Sequence, residues 1–278
     1  MLHLTVWGEP TMKTIFNFLN KIGLVGSLFA VTTLAMSPLG ASAISARASE
    51  VATPKSAVSK TSPFCTNLIN ETSNVTSKLN NLISNANQSW SNNDQRWNTL
   101  WQKVDTTVAS DRSKADTERS QEFVKLQARA KTSTQKTAVQ TYSASVINAV
   151  TVRRAAYDAA RHTFREGVLA TINTRKETVT SQFSSFQGSV NSAIQTAQSS
   201  CSSTPNDGSA IRTTLQTSLK AARETFQSDR KSDTTTNSQI HELAITRNAA
   251  FKAADQTFQN SITSARQSLE KAFSGSSI

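Results

Sequence analysis

Lys131-Thr132-Ser133-Thr134-Gln135-Lys136 is a short polar stretch near the midpoint between Cys65 and Cys201. On both sides of it apolar residues recur three and four positions apart, and no proline interrupts the run between the two cysteines. That spacing lines one face of an α-helix, whereas a strand would need alternation over short runs bounded by turns. Two antiparallel helices joined at 131–136 would bring Cys65 and Cys201 together at their open end. The sequence therefore predicts an all-α fold in which the cysteines clamp a helical hairpin.

Upstream of the turn the series runs through Phe64, Leu68, Val75, Leu79, Leu82, Ala86, Trp90, Trp97, Trp101, Val104 and Val108. It weakens over Asp111–Gln121 and resumes at Phe123 and Leu126. Thr61 or Ser62 is a natural N-cap, with Pro63 at the first helical position. Downstream, Val139, Tyr142, Val146, Val150, Tyr157, Phe164, Val168, Val179, Phe183, Val190, Ile194 and Ala197 keep one face as far as Cys201. Their mean step is close to 3.6, longer than a strict heptad, which predicts nearly straight helices. Gly167 and Gly188 interrupt this segment and cost about 1 kcal/mol each relative to alanine.

Pro205-Asn206-Asp207-Gly208 is the strongest turn signal after the first cysteine. A third periodic segment follows, from Ile211 through Phe226, then a polar gap at Asp229–Gln239, then Ile240 to Phe273. The three segments have nearly equal lengths, roughly 100 Å each if continuously helical. Equal lengths fit an elongated antiparallel coiled coil of three long helices running up, down and up. Helix breaks at the two polar gaps would instead give a shorter bundle of five to six helices.

A local echo accompanies this periodicity. Tyr157-x-Ala159-Ala160-x-x-Thr163-Phe164 recurs as Leu219-x-Ala221-Ala222-x-x-Thr225-Phe226 and as Phe251-x-Ala253-Ala254-x-x-Thr257-Phe258. Its first, fourth and eighth positions share a helix face, and large, small, large in that order favours interdigitation.

The N-terminus reads as an export signal over residues 1–43, with Met12 the better start. Lys13 and Lys21 form a basic region, Ile22 to Met36 an apolar one, and Ala41-Ser42-Ala43 a cleavage pattern. Residues 44–62 read as a flexible Ser/Ala/Thr/Pro linker, 63–274 as the helical domain and 275–278 as a tail. No membrane span is expected after signal cleavage. The predicted location is secreted or periplasmic, where two cysteines more often form a disulfide than a catalytic or metal pair.

The formal charge is +11, and loss of Lys13, Lys21 and Glu9 with the signal leaves +10. Phe123 to Lys176 carries ten basic residues against Asp158 and Glu166. Lys125, Arg129, Lys131, Lys136, Arg153, Arg154, Arg161 and Arg165 are the candidate anion-binding set. They are either a solvated helix face or a basic tip that attracts an anionic polymer over a distance. Trp90, Trp97 and Trp101 form an i, i+7, i+11 stripe, suited to core packing or to stacking on a carbohydrate or a partner. In the hairpin register Trp101 falls beside Arg165, close enough for a cation–π contact.

Catalytic motifs are missing from this pattern. His241-Glu242 resembles half of a zinc-protease motif, but Ile245 stands where the second histidine belongs. There is no glycine-rich phosphate loop, and no cofactor or small-molecule substrate is implied. The expected function is that of an exported, non-enzymatic helical protein acting in structure or interaction at the cell envelope. The alternatives are a basic-tip binding module for an anionic envelope polymer or extracellular nucleic acid, or a periplasmic holdase-type chaperone. No recognition motif for nucleic acid accompanies the basic residues. The partner would be a protein or an anionic polymer, and a homo-oligomer is compatible with the pattern.

Overall fold

The computed structural model describes residues 61–232 and 235–274. The expected export signal, the expected linker up to residue 60 and the expected tail 275–278 lie outside the described residues. The described chain is all-α, with four helices: α1 (Pro63–Arg129), α2 (Ser133–Ser203), α3 (Gly208–Ser232) and α4 (Thr235–Ser274). Helix α1 runs unbroken through Asp111–Gln121, so the first polar gap is helix. The second gap is where α3 ends and α4 begins, residues 233 and 234 being outside the described set.

Each helix end has a visible cause. The Ser62 Oγ accepts the Cys65 amide at 3.3 Å, which makes Ser62 the N-cap of α1 with Pro63 at its first position. Between α1 and α2, the amide of Gln135 donates to Thr132 Oγ1 at 3.1 Å, while Gln135 Oε1 accepts from Lys131 and Thr132. This reciprocal capping box satisfies amides that the first turn of a helix leaves open. The 205–208 turn closes through the Asp207 amide on the Thr204 carbonyl at 3.0 Å.

The described residues form two compact units, both built on α1 and α2. One unit holds residues 61–93 and 176–232, so its third helix is α3. Leu68, Ala193, Ala197, Ile211 and Leu215 pack at the disulfide end of its core. Leu79, Val190 and Ile194 follow, and then Ala86, Val179, Phe183 and Phe226. The Pro205 carbonyl accepts the Ser62 amide at 2.8 Å and ties the start of α1 to the α2–α3 turn. Gly208 is required there, because a Cβ on it would overlap the Ser62 side chain.

The other unit holds Asp94–Arg175 and residues 235–274, with α4 as its third helix. Ala130, Val139, Tyr142, Val146, Ala265 and Leu269 form one cluster next to the α1–α2 turn. A second contains Tyr157, Phe251 and Ala254, and a third Phe164, Val168 and Ala244. Two copies of the sequence echo meet here, with the Tyr157 and Phe251 rings 4.1 Å apart. Their alanines, Ala160 and Ala254, make room for that contact. At Gly167 an added Cβ would meet Leu243 Cδ2 at 2.6 Å, so α4 uses the space the missing side chain leaves.

Candidate interaction sites

Cys65 and Cys201 are joined in a disulfide with Cα atoms 5.5 Å apart, across a separation of 136 residues. Both are half-buried beside Leu68 and Ala197. The clamp expected from the sequence is present, and its setting is structural packing.

The tryptophan stripe divides between the units. Trp90 packs against the Ala86–Val179–Phe183–Phe226 cluster. In the other unit Trp97 is buried and stacks on Trp101 at 5.3 Å, and Trp101 meets the edge of Phe164 at 6.2 Å. The Arg165 guanidinium covers the Trp101 ring at 5.0 Å, the contact that the hairpin register called for.

The basic set separates into two chemically distinct groups. In the first, each arginine of α2 faces a carboxylate. Arg165 binds both oxygens of Asp105. Arg154 donates to Asp116 at 2.9 Å, and Arg112 of α1 makes a bidentate pair with Asp158 at 2.8 Å. Arg161 also reaches Asp158, at 3.3 Å. Along these pairs α2 advances by as many residues as α1 retreats, the signature of a straight antiparallel register. On the α4 side, Arg153 donates to Asp255 at 2.7 Å, and the Tyr157 hydroxyl donates to the other carboxylate oxygen at 2.8 Å.

These pairs are lopsided in burial. The arginines keep about a fifth of their side-chain surface and their carboxylates about half. The guanidinium planes are spent on aromatic faces: Arg153 lies over Phe258, and Arg161 over Tyr157 and Phe251. The Arg154 bond, more than any other contact, holds the Asp116 carboxyl below the usual carboxylate range, and the Arg112 bond does the same for Asp158.

The second group sits at the α1–α2 turn. Lys125 pairs with Glu122 one helical turn away, both exposed. Arg129, Lys131 and Lys136 are exposed and make no ion pair among the described residues. The capping box fixes the backbone that carries them.

Arg247 was not singled out by the sequence. It is 6% exposed, with its guanidinium 4.2 Å over Phe164 and bonded to Asn248 Oδ1 at 3.1 Å. Burial first, and then the Arg161 charge, lower its pKa. Its spacing from Phe251 was the available signal, since arginine four positions before an aromatic shares its helix face. His162 lies beside Glu166 on the surface at 3.1 Å, and His241 is exposed. Among the described residues no three His, Cys, Asp or Glu side chains converge, and no helix is long and apolar enough to cross a membrane. Comparison with protein-family models, with curated proteins and with solved structures finds nothing that matches this chain.

Proposed function

We propose that this chain is an exported, non-enzymatic helical protein that works by interaction at the cell envelope, and that its contact region is the basic α1–α2 turn. One observation carries the reading. Arg153, Arg154, Arg161 and Arg165 of α2 are committed to carboxylates and aromatic rings, whereas Arg129, Lys131 and Lys136 stand exposed on a capped turn without ion pairs among the described residues. Exposed cations held on a fixed backbone attract an anionic polymer through a screened field and lose little order on binding. The export signal read at the N-terminus and the Cys65–Cys201 bond suit an oxidising, extracytoplasmic setting.

The test is co-sedimentation of oxidised residues 44–278 with purified cell envelope at rising salt. Binding that fades steeply between low and physiological ionic strength is the expected result. Binding indifferent to salt would move the contact to apolar surface and a protein partner. An absence of binding at low salt would remove the envelope from the reading.

A further inference from the structure

Among the described residues the two most exposed large apolar side chains are Val124, at 67%, and Ile147, at 52%. They stand on either side of the α1–α2 turn, on adjoining helix faces. Ile147 comes seven positions before Arg154, whose guanidinium turns to Asp116 of α1, so it lies on the α1 side of α2. Val124 follows Asp116 by about two turns of α1. The Phe123 and Tyr142 rings meet edge-on at 6.2 Å, which fixes the register there. From it, Val124 and Ile147 are about 9 Å apart along the helix axes.

The charge around them has one sign. No Asp or Glu occurs from Phe123 to Tyr157, whereas Lys125, Arg129, Lys131 and Lys136 all fall between Val124 and Ile147. Lys125 adjoins Val124, and Lys136 precedes Ile147 by eleven positions, on the same stripe of α2. Helix α4 brings Arg266 and Lys271 against Glu270 to this end, where its Ala265 and Leu269 pack with Tyr142. On α1, acids resume at Glu122, which pairs with Lys125, and at Glu118, further from the turn.

We infer that this outer α1–α2 face docks on a lipid bilayer carrying anionic headgroups, with Val124 and Ile147 entering the acyl boundary between the cations. The inference rests on the basic turn being the contact region, and it names the partner. A dissolved polyanion engages cations alone and leaves two large apolar side chains in water. A bilayer surface meets both, because an apolar face settles about 5–10 Å into it, at the boundary of headgroup and acyl chain. Lysine and arginine stems are long enough to keep their charges at the phosphates meanwhile. Each cation near an anionic leaflet strengthens binding about fivefold, so Arg129, Lys131 and Lys136 together supply about a hundredfold. Burying roughly half of a valine or isoleucine adds about tenfold apiece. Two weak signals of different kinds are what attachment to a membrane surface takes.

The experiment is co-sedimentation of oxidised residues 44–278 with vesicles of phosphatidylcholine alone or of phosphatidylcholine and phosphatidylglycerol in equal parts, beside binding to polyphosphate in solution. Binding is expected to the mixed vesicles and not to the neutral ones, and should weaken as salt rises. Val124→Ser with Ile147→Ser leaves every charge in place. Serine is close to both residues in helix propensity, so the melting curve should stay within the range of surface substitutions. This double variant should lose about a hundredfold in affinity for mixed vesicles and nothing toward polyphosphate. Ile245→Ser, comparably exposed on α4 away from the turn, should bind as the parent does. Binding to polyphosphate without binding to mixed vesicles overturns the inference and leaves the basic turn as a polymer site. Mixed-vesicle binding indifferent to the two serines overturns it too, since charge alone would then be the cause. Equal binding to neutral vesicles overturns it by removing the cations from the contact. Binding to neither vesicles nor polyphosphate removes the reading of the basic turn along with it.

Discussion

Asp158 accepts both bonds of the Arg112 guanidinium and a third from Arg161, and so holds α1 to α2 in the middle of an otherwise polar stretch. Its carboxyl is half exposed, so solvent screens much of the Coulomb energy. Asp158→Asn is expected to cost about 1 kcal/mol at neutral pH. The sign with pH follows from its depressed pKa. A carboxylate whose folded pKa lies below the unfolded value stabilises fully above that unfolded value, about 3.9. The contribution is lost as pH falls through the lower folded value. Thermal unfolding curves of the two proteins should therefore differ at pH 7 and converge in strong acid. An undiminished gap at pH 2 would mean that the bond is not what Asp158 contributes. Glycine offers a second residue-scale contrast within α2. A Cβ at Gly188 meets nothing within 4 Å, so Gly188→Ala should gain about 1 kcal/mol of helix propensity. Gly167→Ala must displace Leu243 and should forfeit most of that gain. Equal melting shifts for the two variants would contradict the close approach of α4.

At the scale of elements, the α1–α2 turn and the disulfide are the constraints whose removal is most informative. Thr132→Ala removes the hydroxyl that caps the Gln135 amide and should cost about 1 kcal/mol, read as a lower urea midpoint. Reducing Cys65–Cys201 opens a loop of 136 residues. The chain-entropy model sets about 5 kcal/mol as the upper bound on that loss. Hydrogen exchange should quicken first at amides near Leu68, Ala197 and Ile211, which pack beside the bond. Unchanged exchange there after full reduction would show that packing alone holds that end. These elements were largely legible in the sequence. Periodicity located the helices, proline and glycine the 205–208 turn, and the polar break the hairpin turn. The Thr132-x-x-Gln135 capping box also stood in plain view, three residues apart ahead of an apolar run. The Asp111–Gln121 stretch could be read as a break because apolar spacing was the criterion, and Arg112 and Asp116 carry the contact there by ion pairing. The role of the α2 arginines was not legible for a related reason. Charge counted along one segment saw ten cations and two acids, but Asp105, Asp116 and Asp255 arrive from other helices, 38 to 102 residues away.

Across the whole molecule, the net positive charge is therefore a poor guide to which cations are free to bind, and charge reversal separates the two groups. Arg129→Glu with Lys131→Glu and Lys136→Glu changes three exposed side chains that make no ion pair among the described residues. Folding should proceed unaltered, with the melting temperature within the small range typical of surface substitutions, about ±0.5 kcal/mol each. Envelope binding at low salt should vanish. Arg154→Glu with Arg161→Glu makes fewer changes of the same sign, yet places new carboxylates against Asp116 and Asp158 and strips cover from Tyr157 and Phe251. That variant should lose several kcal/mol of stability, since an ion pair becomes a like-charge contact beside a partly buried aromatic cluster. Any fall in its envelope binding should track its loss of helicity on warming, whereas the turn variant should lose binding while fully helical. Circular dichroism melts alongside co-sedimentation distinguish the cases. If the turn variant binds as tightly as the parent while the Arg154 and Arg161 variant stays folded and fails to bind, the interaction surface is the α2 arginine stripe, and the carboxylates that face it must give way to the ligand.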